Sequence, residues 1–191
     1  MINLEKLFER KRVFGFFVQH LTYPDKLDYH PSVLEEYIDS SNPVYEHIKR
    51  FWDRMHQYSL EEIEEMYVQT FDFQKKSTLY MTYSKLEEAK ERGQMLANIK
   101  SVYQTYGLHM ANDELSDYLP LMCEFLYAVD WRGDPRAQES LGLILAVMED
   151  GTYHLLNALQ QFDNPYYDLI KALRETFKAC VRQEASIHEH G

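Results

Sequence analysis

Apolar residues recur every three or four positions along most of the chain, the spacing that places them on one face of an α-helix. The pattern is clear in residues 44–55, 60–71 and 169–181. The longest periodic stretch, residues 86–106, carries small and apolar residues along one side. These stretches predict amphipathic helices whose apolar faces pack together.

Residues 77–84 differ, because their apolar and polar side chains alternate as in a β-strand. A lone strand has no partner for its backbone hydrogen bonds. We therefore expect this segment to form a turn or a short helix.

Local signals mark where several helices begin and end. Ser59 and Glu62 have the spacing of a capping box. Asp113 is a further candidate cap, and Gly107 is placed to end the helix before it. A capping side chain, which accepts a backbone N–H bond, also stands before a proline suited to the first turn in three places: Asn42-Pro43, Asp134-Pro135 and Asn164-Pro165.

The fold class follows from these patterns. The chain has 7 glycines among 191 residues, which suits helices better than sheets with many turns. No internal repeat, low-complexity segment or linker divides it. We expect an all-α fold, in which residues 1–191 form a single-domain helical bundle of about eight or nine helices.

Composition narrows the range of partners. The chain has 20 basic and 31 acidic residues and a formal charge of −11, which excludes nucleic acid because phosphate binding needs a basic face. An acidic protein is better suited to a basic partner.

The two cysteines, Cys123 and Cys180, are too few for a disulfide framework and predict buried thiols in a reducing compartment. No apolar run approaches the roughly 18 residues of a membrane span, so we expect a cytoplasmic protein without membrane insertion.

The motifs of several enzyme classes are absent from the sequence. No glycine pair has dinucleotide-binding spacing, no phosphate-binding loop precedes a lysine, and no GxSxG elbow occurs. None of the 8 histidines follows a glutamate by three residues, as the helical di-iron proteins require. The sequence therefore points to a protein that is not an enzyme, with no catalytic residue and no cofactor of its own.

Two weaker arrangements leave a metal-binding alternative open. Asp53 precedes His56 by three residues, and His188 and His190 flank Glu189 close to the end of the chain. A polar terminus of this kind is more typical of a solvated tail than of a metal site.

Pro120 marks the most unusual segment. It stands seven residues after the candidate cap Asp113, where a proline removes a backbone hydrogen bond and clashes with the preceding turn. A helix in this segment should break near Leu119 and restart with Pro120 in its first turn. The break would direct Asp117 and Tyr118 away from the regular helix, either as a structural corner or as part of a site.

Arg92 and Gly93 form a second unusual pair. A glycine inside a long helix costs about 1 kcal/mol relative to alanine, which predicts that another backbone approaches closely there. Arg92 has two possible environments. It pairs with a buried carboxylate, for which Asp72 and Glu124 are the candidates, or it lies at the surface beside Glu88, four residues earlier.

Aromatic residues and methionines are abundant, with 15 Tyr, 10 Phe and 8 Met. They favour either an ordinary core or an adaptable groove that receives an apolar helix, since Met repacks easily and Tyr combines apolar area with a polar tip.

Five motifs in one order carry a family likeness. The region they span resembles the NarJ-type assembly chaperones, also called the delta subunit of membrane-bound respiratory nitrate reductase, within the TorD-like group of molybdoenzyme chaperones. One departure is Ser116, which stands where the family usually has a proline. The motifs are 67–72 (YVQTFD), 77–80 (STLY), 90–94 (KERGQ), 114–120 (ELSDYLP) and 124–126 (EFL).

The resemblance implies a cytoplasmic, all-helical chaperone that is not part of the finished enzyme. Such proteins bind the N-terminal segment of the apo catalytic (alpha) subunit, keep it competent for molybdenum cofactor insertion and delay membrane docking. Proteins that deliver the molybdenum cofactor are further candidate partners. The positions that the resemblance assigns to the peptide-binding region, or to its support, are Phe71, Asp72, Tyr80, Arg92, Glu114, Asp117, Tyr118, Pro120 and Glu124.

Two other functions remain open from the residues alone. One is a helical domain that binds a small molecule or a metal. The other is an interaction module that uses its acidic face in an unrelated complex.

Overall fold

A computed structural model describes residues 1–86, 89–111 and 113–181. Within these residues it contains nine α-helices and no sheet, which confirms the all-α prediction. A π-helical turn, Val68–Asp72, continues α5, and a 3₁₀ turn covers Lys75–Ser77. The helices are α1 (Leu4–Glu9), α2 (Lys11–Leu21), α3 (Pro31–Tyr37), α4 (Tyr45–His56), α5 (Leu60–Tyr67), α6 (Ala89–Thr105), α7 (Leu119–Ala128), α8 (Ala137–Gln161) and α9 (Tyr166–Lys178).

The capping signals place the helix starts as predicted. Ser59 Oγ accepts the Glu62 N–H at 3.2 Å, and the Glu62 carboxylate accepts the Ser59 N–H at 2.8 Å, which completes the capping box of α5. Asn42, Asp134 and Asn164 each accept a backbone N–H two residues later, at 3.1, 2.9 and 2.9 Å, just before α4, α8 and α9.

The core combines aliphatic side chains with many aromatic ones. α2 packs along α7, while α9 lies against both α4 and α8. Both tryptophans, Trp52 and Trp131, are buried, as are both cysteine thiols. Much of the aromatic content is therefore ordinary core. Among the residues that the structure describes, no helix is both long and apolar enough to cross a membrane.

The connection between α6 and α7 contradicts one expectation. Gly107 has φ of 77° and lies just beyond α6, as predicted, but Asp113 caps no helix, since the next helix begins only at Leu119. α6 holds the segment in place, because Ser116 Oγ donates to the Leu96 carbonyl and Tyr103 Oη donates to the Ser116 carbonyl, both at 2.7 Å. α7 begins at Leu119 with Pro120 in its first turn, as expected.

The glycine that permits close approach is not the predicted one. Among the described residues, a Cβ on Gly93 would meet nothing within 4 Å, so the expected backbone contact at α6 is wrong. The contact lies at Gly151 of α8, where a Cβ would fall 2.7 Å from the Cα of Met81. Gly151 therefore allows the segment around Met81 to rest directly on the α8 backbone.

The metal-binding alternative gains no support from the described residues. They contain no group of three or more His, Cys, Asp or Glu side chains that could hold an ion. Asp53 accepts a hydrogen bond from Lys49 at 2.6 Å, and His56 packs its ring on His30. His188 and His190 lie outside the described residues.

His20 is buried in an aromatic cluster between α2 and α4. Its Nδ1 lies 3.1 Å from Tyr29 Oη, and its ring centroid lies 4.3 Å from that of Phe16 and 5.3 Å from that of Trp52. Nε2 is buried, with no hydrogen-bond partner in the described part of the chain. Burial disfavours the imidazolium ion and lowers the pKa of His20 to about 3.

We predict opposite effects of alanine at the two glycines. Gly93→Ala should raise the free energy of unfolding by about 0.5–1 kcal/mol, because it adds helix propensity without a clash. Gly151→Ala should lower it by about 1–3 kcal/mol, because the added methyl group meets backbone. Urea denaturation followed by circular dichroism measures both, and effects of the same sign would contradict the contact at Gly151.

We also predict that His20 makes the folded state sensitive to acid. An unfolded histidine binds its proton near pH 6.5, whereas the pKa of His20 in the fold is about 3. Between those values the unfolded state binds more protons, so stability falls as the pH falls, by at most about 1.4 kcal/mol per pH unit. His20→Phe removes this contribution to the pH dependence of the free energy of unfolding.

The measurement is the free energy of unfolding of wild type and His20→Phe at pH 7 and pH 5. The wild type should lose more stability than the variant between these values, while the other titrating groups contribute equally to both. An unchanged difference between the two proteins would contradict the burial of neutral His20.

Candidate functional site

Two chain segments cross to form a corner next to the start of α7. Met81 N donates to the Asp117 carbonyl at 3.0 Å, and Leu119 N donates to the Leu79 carbonyl at 2.8 Å. These bonds frame an isolated antiparallel bridge between Tyr80 and Tyr118. The alternating segment, residues 77–84, therefore forms one isolated bridge at Tyr80 and then a turn, as we predicted.

The bridge places the side chains of the corner on two opposite sides, one buried and one at the surface. Successive side chains in extended backbone point to opposite sides. Leu79, Met81 and Asp117 are buried accordingly, while Tyr80 and Tyr118 reach the surface in part. The two outer rings pack on one another, with centroids 5.4 Å apart and planes tilted by 35°.

Asp117 braces the corner from inside. Its residue exposure is 0%, and its Oδ2 accepts hydrogen bonds from Thr82 N at 2.9 Å and Thr82 Oγ1 at 2.7 Å. Arg92 of α6 places Nη2 3.7 Å from the same oxygen and donates from Nε to Thr82 Oγ1 at 3.1 Å. Oδ1 of Asp117 is buried and has no partner among the described residues. One carboxylate thus connects the turn after Tyr80, α6 and the start of α7.

The carboxylate beside Arg92 is not one of the predicted candidates. Asp72 and Glu124 are both exposed, so neither is the buried partner, and Asp117 takes that role. The alternative partner, Glu88, lies outside the described residues. Thr82 was not predicted, although a threonine in an apolar, strand-like segment is a signal that its hydroxyl has a buried partner.

A π-helical turn at the end of α5 separates two neighbouring residues. Phe71 is 4% exposed and packs against Tyr166 and Tyr67, with ring centroids 4.8 and 5.0 Å away, whereas Asp72 is exposed. Single π turns are rare and frequently occur at functional sites. The sequence analysis missed this turn, because apolar spacing does not distinguish it from a continuing α-helix.

Four tyrosines, Tyr23, Tyr67, Tyr118 and Tyr80, form a continuous row across the corner, called here the tyrosine row. The Tyr23 and Tyr67 ring centroids are 5.8 Å apart, and the Tyr67 and Tyr118 hydroxyl oxygens are 3.5 Å apart. Tyr67 is fixed at the centre, since its hydroxyl donates to the Leu21 carbonyl at 2.8 Å. Tyr23 is 49% exposed at one end of the row.

Burial and nearby carboxylates raise the pKa values of Tyr80 and Tyr118. Burial, and then the neighbouring Glu114 carboxylate, raise the pKa of Tyr80 to about 12. Burial also raises the pKa of Tyr118, and Glu114 and Asp72 act in the same direction. The row therefore presents uncharged phenols beside negative charge, which suits a partner that has both apolar and basic side chains.

Comparison with known proteins identifies the family of this chain. A family model described as the nitrate reductase delta subunit matches residues 37–172, which include the whole corner. The chain belongs to the nitrate reductase delta subunit family. The resemblance found in the five motifs is thereby confirmed.

Individual relatives of this delta subunit family member agree. The chain is 30% identical over 170 residues to a Bacillus subtilis protein named "Probable nitrate reductase molybdenum cofactor assembly chaperone NarJ", covering 86% of this chain and 88% of that protein. It is 30% identical over 105 residues to an Escherichia coli protein named "Probable nitrate reductase molybdenum cofactor assembly chaperone NarW", covering 55% of this chain and 42% of that protein. It is 28% identical over 110 residues to the "Nitrate reductase-like protein NarX" of Mycobacterium tuberculosis, covering 58% and 16%.

The positions assigned from the family motifs fall into three groups. Tyr80, Tyr118, Asp72 and Glu114 lie in or beside the tyrosine row at the surface, and Arg92 is half-buried behind them. Three residues are buried and serve as supports: Phe71, Asp117 and Pro120.

Glu124 stands apart from the corner. It is exposed on α7 and lines a different cleft, which α7 forms with α2 and α3.

Two small pockets border the corner of this delta subunit family member. One, of about 80 Å³, includes Met81 and Thr82. The other, of about 200 Å³, includes Glu114. Both are smaller than the roughly 300–1,000 Å³ typical of small-molecule sites. This part of the surface suits a polypeptide that lies across it better than an enclosed small ligand.

We predict that Asp117 determines the stability of the corner. Asp117→Ala should lower the free energy of unfolding by about 3–5 kcal/mol, because it leaves Thr82 and Arg92 without their buried acceptor. Asp113→Ala removes an exposed carboxylate four residues earlier and should change stability by less than about 0.5 kcal/mol. Urea denaturation measures the free energy of unfolding of both variants. Equal losses would contradict a stabilising role for Asp117.

Proposed function

We propose that this protein is a cytoplasmic assembly chaperone of respiratory nitrate reductase. It binds the N-terminal segment of the catalytic subunit before the molybdenum cofactor is inserted, and it delays membrane docking until insertion is complete. The observation that supports this role best is the corner itself, where the partly exposed Tyr80 and Tyr118 lie beside the Asp72 and Glu114 carboxylates, within residues 37–172 that the family model matches. The names of the Bacillus subtilis and Escherichia coli relatives support the same role.

Apolar anchors supply most of the affinity in this proposal. A buried apolar side chain contributes about 1.5–3 kcal/mol, whereas an ion pair at an exposed rim contributes about 0.2–1 kcal/mol. Tyr118 and Tyr80 offer the apolar area. Asp72 and Glu114 select and orient a basic segment, since charge complementarity acts mainly on specificity and association rate.

Occupancy of the corner explains the order of assembly. A segment that lies against the tyrosine row is covered by the chaperone and is not free to dock elsewhere. Binding to the corner and docking at the membrane then exclude each other. Cofactor-delivery proteins would meet the catalytic subunit while its N-terminal segment is covered, and release would follow maturation.

We predict that Tyr118→Ala weakens binding of a synthetic peptide with the N-terminal sequence of the catalytic subunit by about 10- to 100-fold, because it removes one apolar anchor. Titration calorimetry with the full chain measures the dissociation constant. Tyr153→Ala is the matched control, because Tyr153 is 54% exposed on α8. This variant should bind the peptide as wild type does. Raising the salt concentration should weaken wild-type binding less than Tyr118→Ala does.

Circular dichroism must accompany this assay, because Tyr118 is half-buried. Phe71→Ala is a poor probe of binding, since truncating this buried ring should destabilise the fold by about 3–5 kcal/mol. A folded Tyr118→Ala protein with unchanged affinity would contradict the placement of the binding site. Absence of binding by the wild type would contradict the function itself and favour an interaction module of another complex.

A further inference from the structure

A large cleft lies away from the tyrosine row, between α2, α3 and α7. It has a volume of about 720 Å³ and is called here the α2–α3–α7 cleft. Its floor includes Phe16, which is 4% exposed, and its rim carries two tyrosines, Tyr37 and Tyr127, which are 47% and 48% exposed. Exposed rings beside an apolar floor offer the anchoring area that protein interfaces use.

Gly15 shapes one wall of this cleft. A Cβ at Gly15 would lie 2.9 Å from the Tyr127 ring, so only a glycine lets this ring lie directly on the α2 backbone. Tyr127 is thereby positioned along α2 by its packing while half of it stays exposed.

Negative charge dominates the lining of the cleft. Two guanidinium groups, Arg10 and Arg12, face five carboxylates. Within the described ranges, none of these seven groups forms an ion pair within 4 Å. The carboxylates are Glu9, Glu35, Glu36, Asp39 and Glu124.

Two of these carboxylates stand where the fold gains nothing from them. Glu35 and Glu36 lie in the last turn of α3, which contains no basic residue. Negative charge at a helix C-terminus opposes the helix dipole and is unfavourable. Their position therefore points to an external source of positive charge.

We propose that the α2–α3–α7 cleft docks a basic amphipathic helix of the client protein, as a second contact separate from the tyrosine row. This inference rests on the proposed chaperone function for the identity of the client. The apolar face of the helix would cover Phe16, Tyr37 and Tyr127, and its basic side chains would meet Glu35, Glu36 and Asp39. A helix of about 10 Å diameter with its side chains is the element that such grooves commonly receive.

Two probes are compared between variants of the cleft and variants outside it. The first is an 18-residue peptide of lysine and leucine arranged as an amphipathic helix. The second is the N-terminal peptide of the catalytic subunit. The Glu35→Lys/Glu36→Lys double variant reverses charge in the cleft, and Glu61→Lys/Glu65→Lys on α5 changes the net charge equally outside it.

We expect the cleft variant to bind the lysine–leucine peptide at least about tenfold more weakly than wild type, since like charges then face each other. The α5 variant should stay within about threefold of wild type, because the remaining difference is only general charge. Tyr127→Ala should weaken binding to a similar extent through loss of an anchor. All three variants should bind the N-terminal peptide as wild type does.

Equal losses in the cleft and α5 variants would overturn the inference, because net charge alone would then explain binding. If the cleft variant loses the N-terminal peptide while Tyr118→Ala keeps it, the cleft is not a second contact and the inference also fails. If neither wild type nor any variant binds the N-terminal peptide, the proposed function fails. If the cleft variant nevertheless binds the lysine–leucine peptide more weakly than wild type does, the cleft remains a docking surface.

Discussion

The buried carboxylate of Asp117 is the interaction on which the candidate site depends. Burying a charge without partners is costly, and the partners here come from two other places in the chain, Thr82 and Arg92. The buried Asp117 side chain keeps its hydrogen-bond partners only while those segments stay together. Tyr118, the next residue, is held at the surface as a consequence. The position of the tyrosine row is therefore a property of the network beneath it.

A second constraint acts from the opposite side of the corner. Gly151 lets the Met81 backbone rest on α8, and the Met81 N–H bonds the Asp117 carbonyl. The long helix α8 thus supports the crossing segments from below, while the hydrogen bonds hold them to each other. A surface supported in this way is pre-organised, and less free energy is lost to ordering when a partner binds.

Sequence reasoning succeeded where the deciding interactions are local and failed where they are not. The capping box at Ser59 and the cap at Asn164 could be predicted because their partners lie within three residues. The start of α7 follows from the preference of Pro120 for a first helical turn. The partner of Arg92 depends on which segment the fold brings next to α6. The position of the close backbone contact, Gly151 rather than Gly93, likewise depends on how α8 meets a distant turn. The π turn before Phe73 changes no apolar spacing, so the sequence carries no signal for it.

The protonation state of the two surface tyrosines determines how the candidate site responds to pH. The pKa of Tyr80 is raised to about 12, and that of Tyr118 is raised as well, so both phenols stay neutral throughout the physiological pH range. The row offers the same apolar area and hydroxyl groups across that range. Ordinary changes in cellular pH therefore leave both phenols unchanged. Under the proposed chaperone function, a bound segment would be released when it gains better contacts within its own folded subunit, since the client then favours the state in which the chaperone is free.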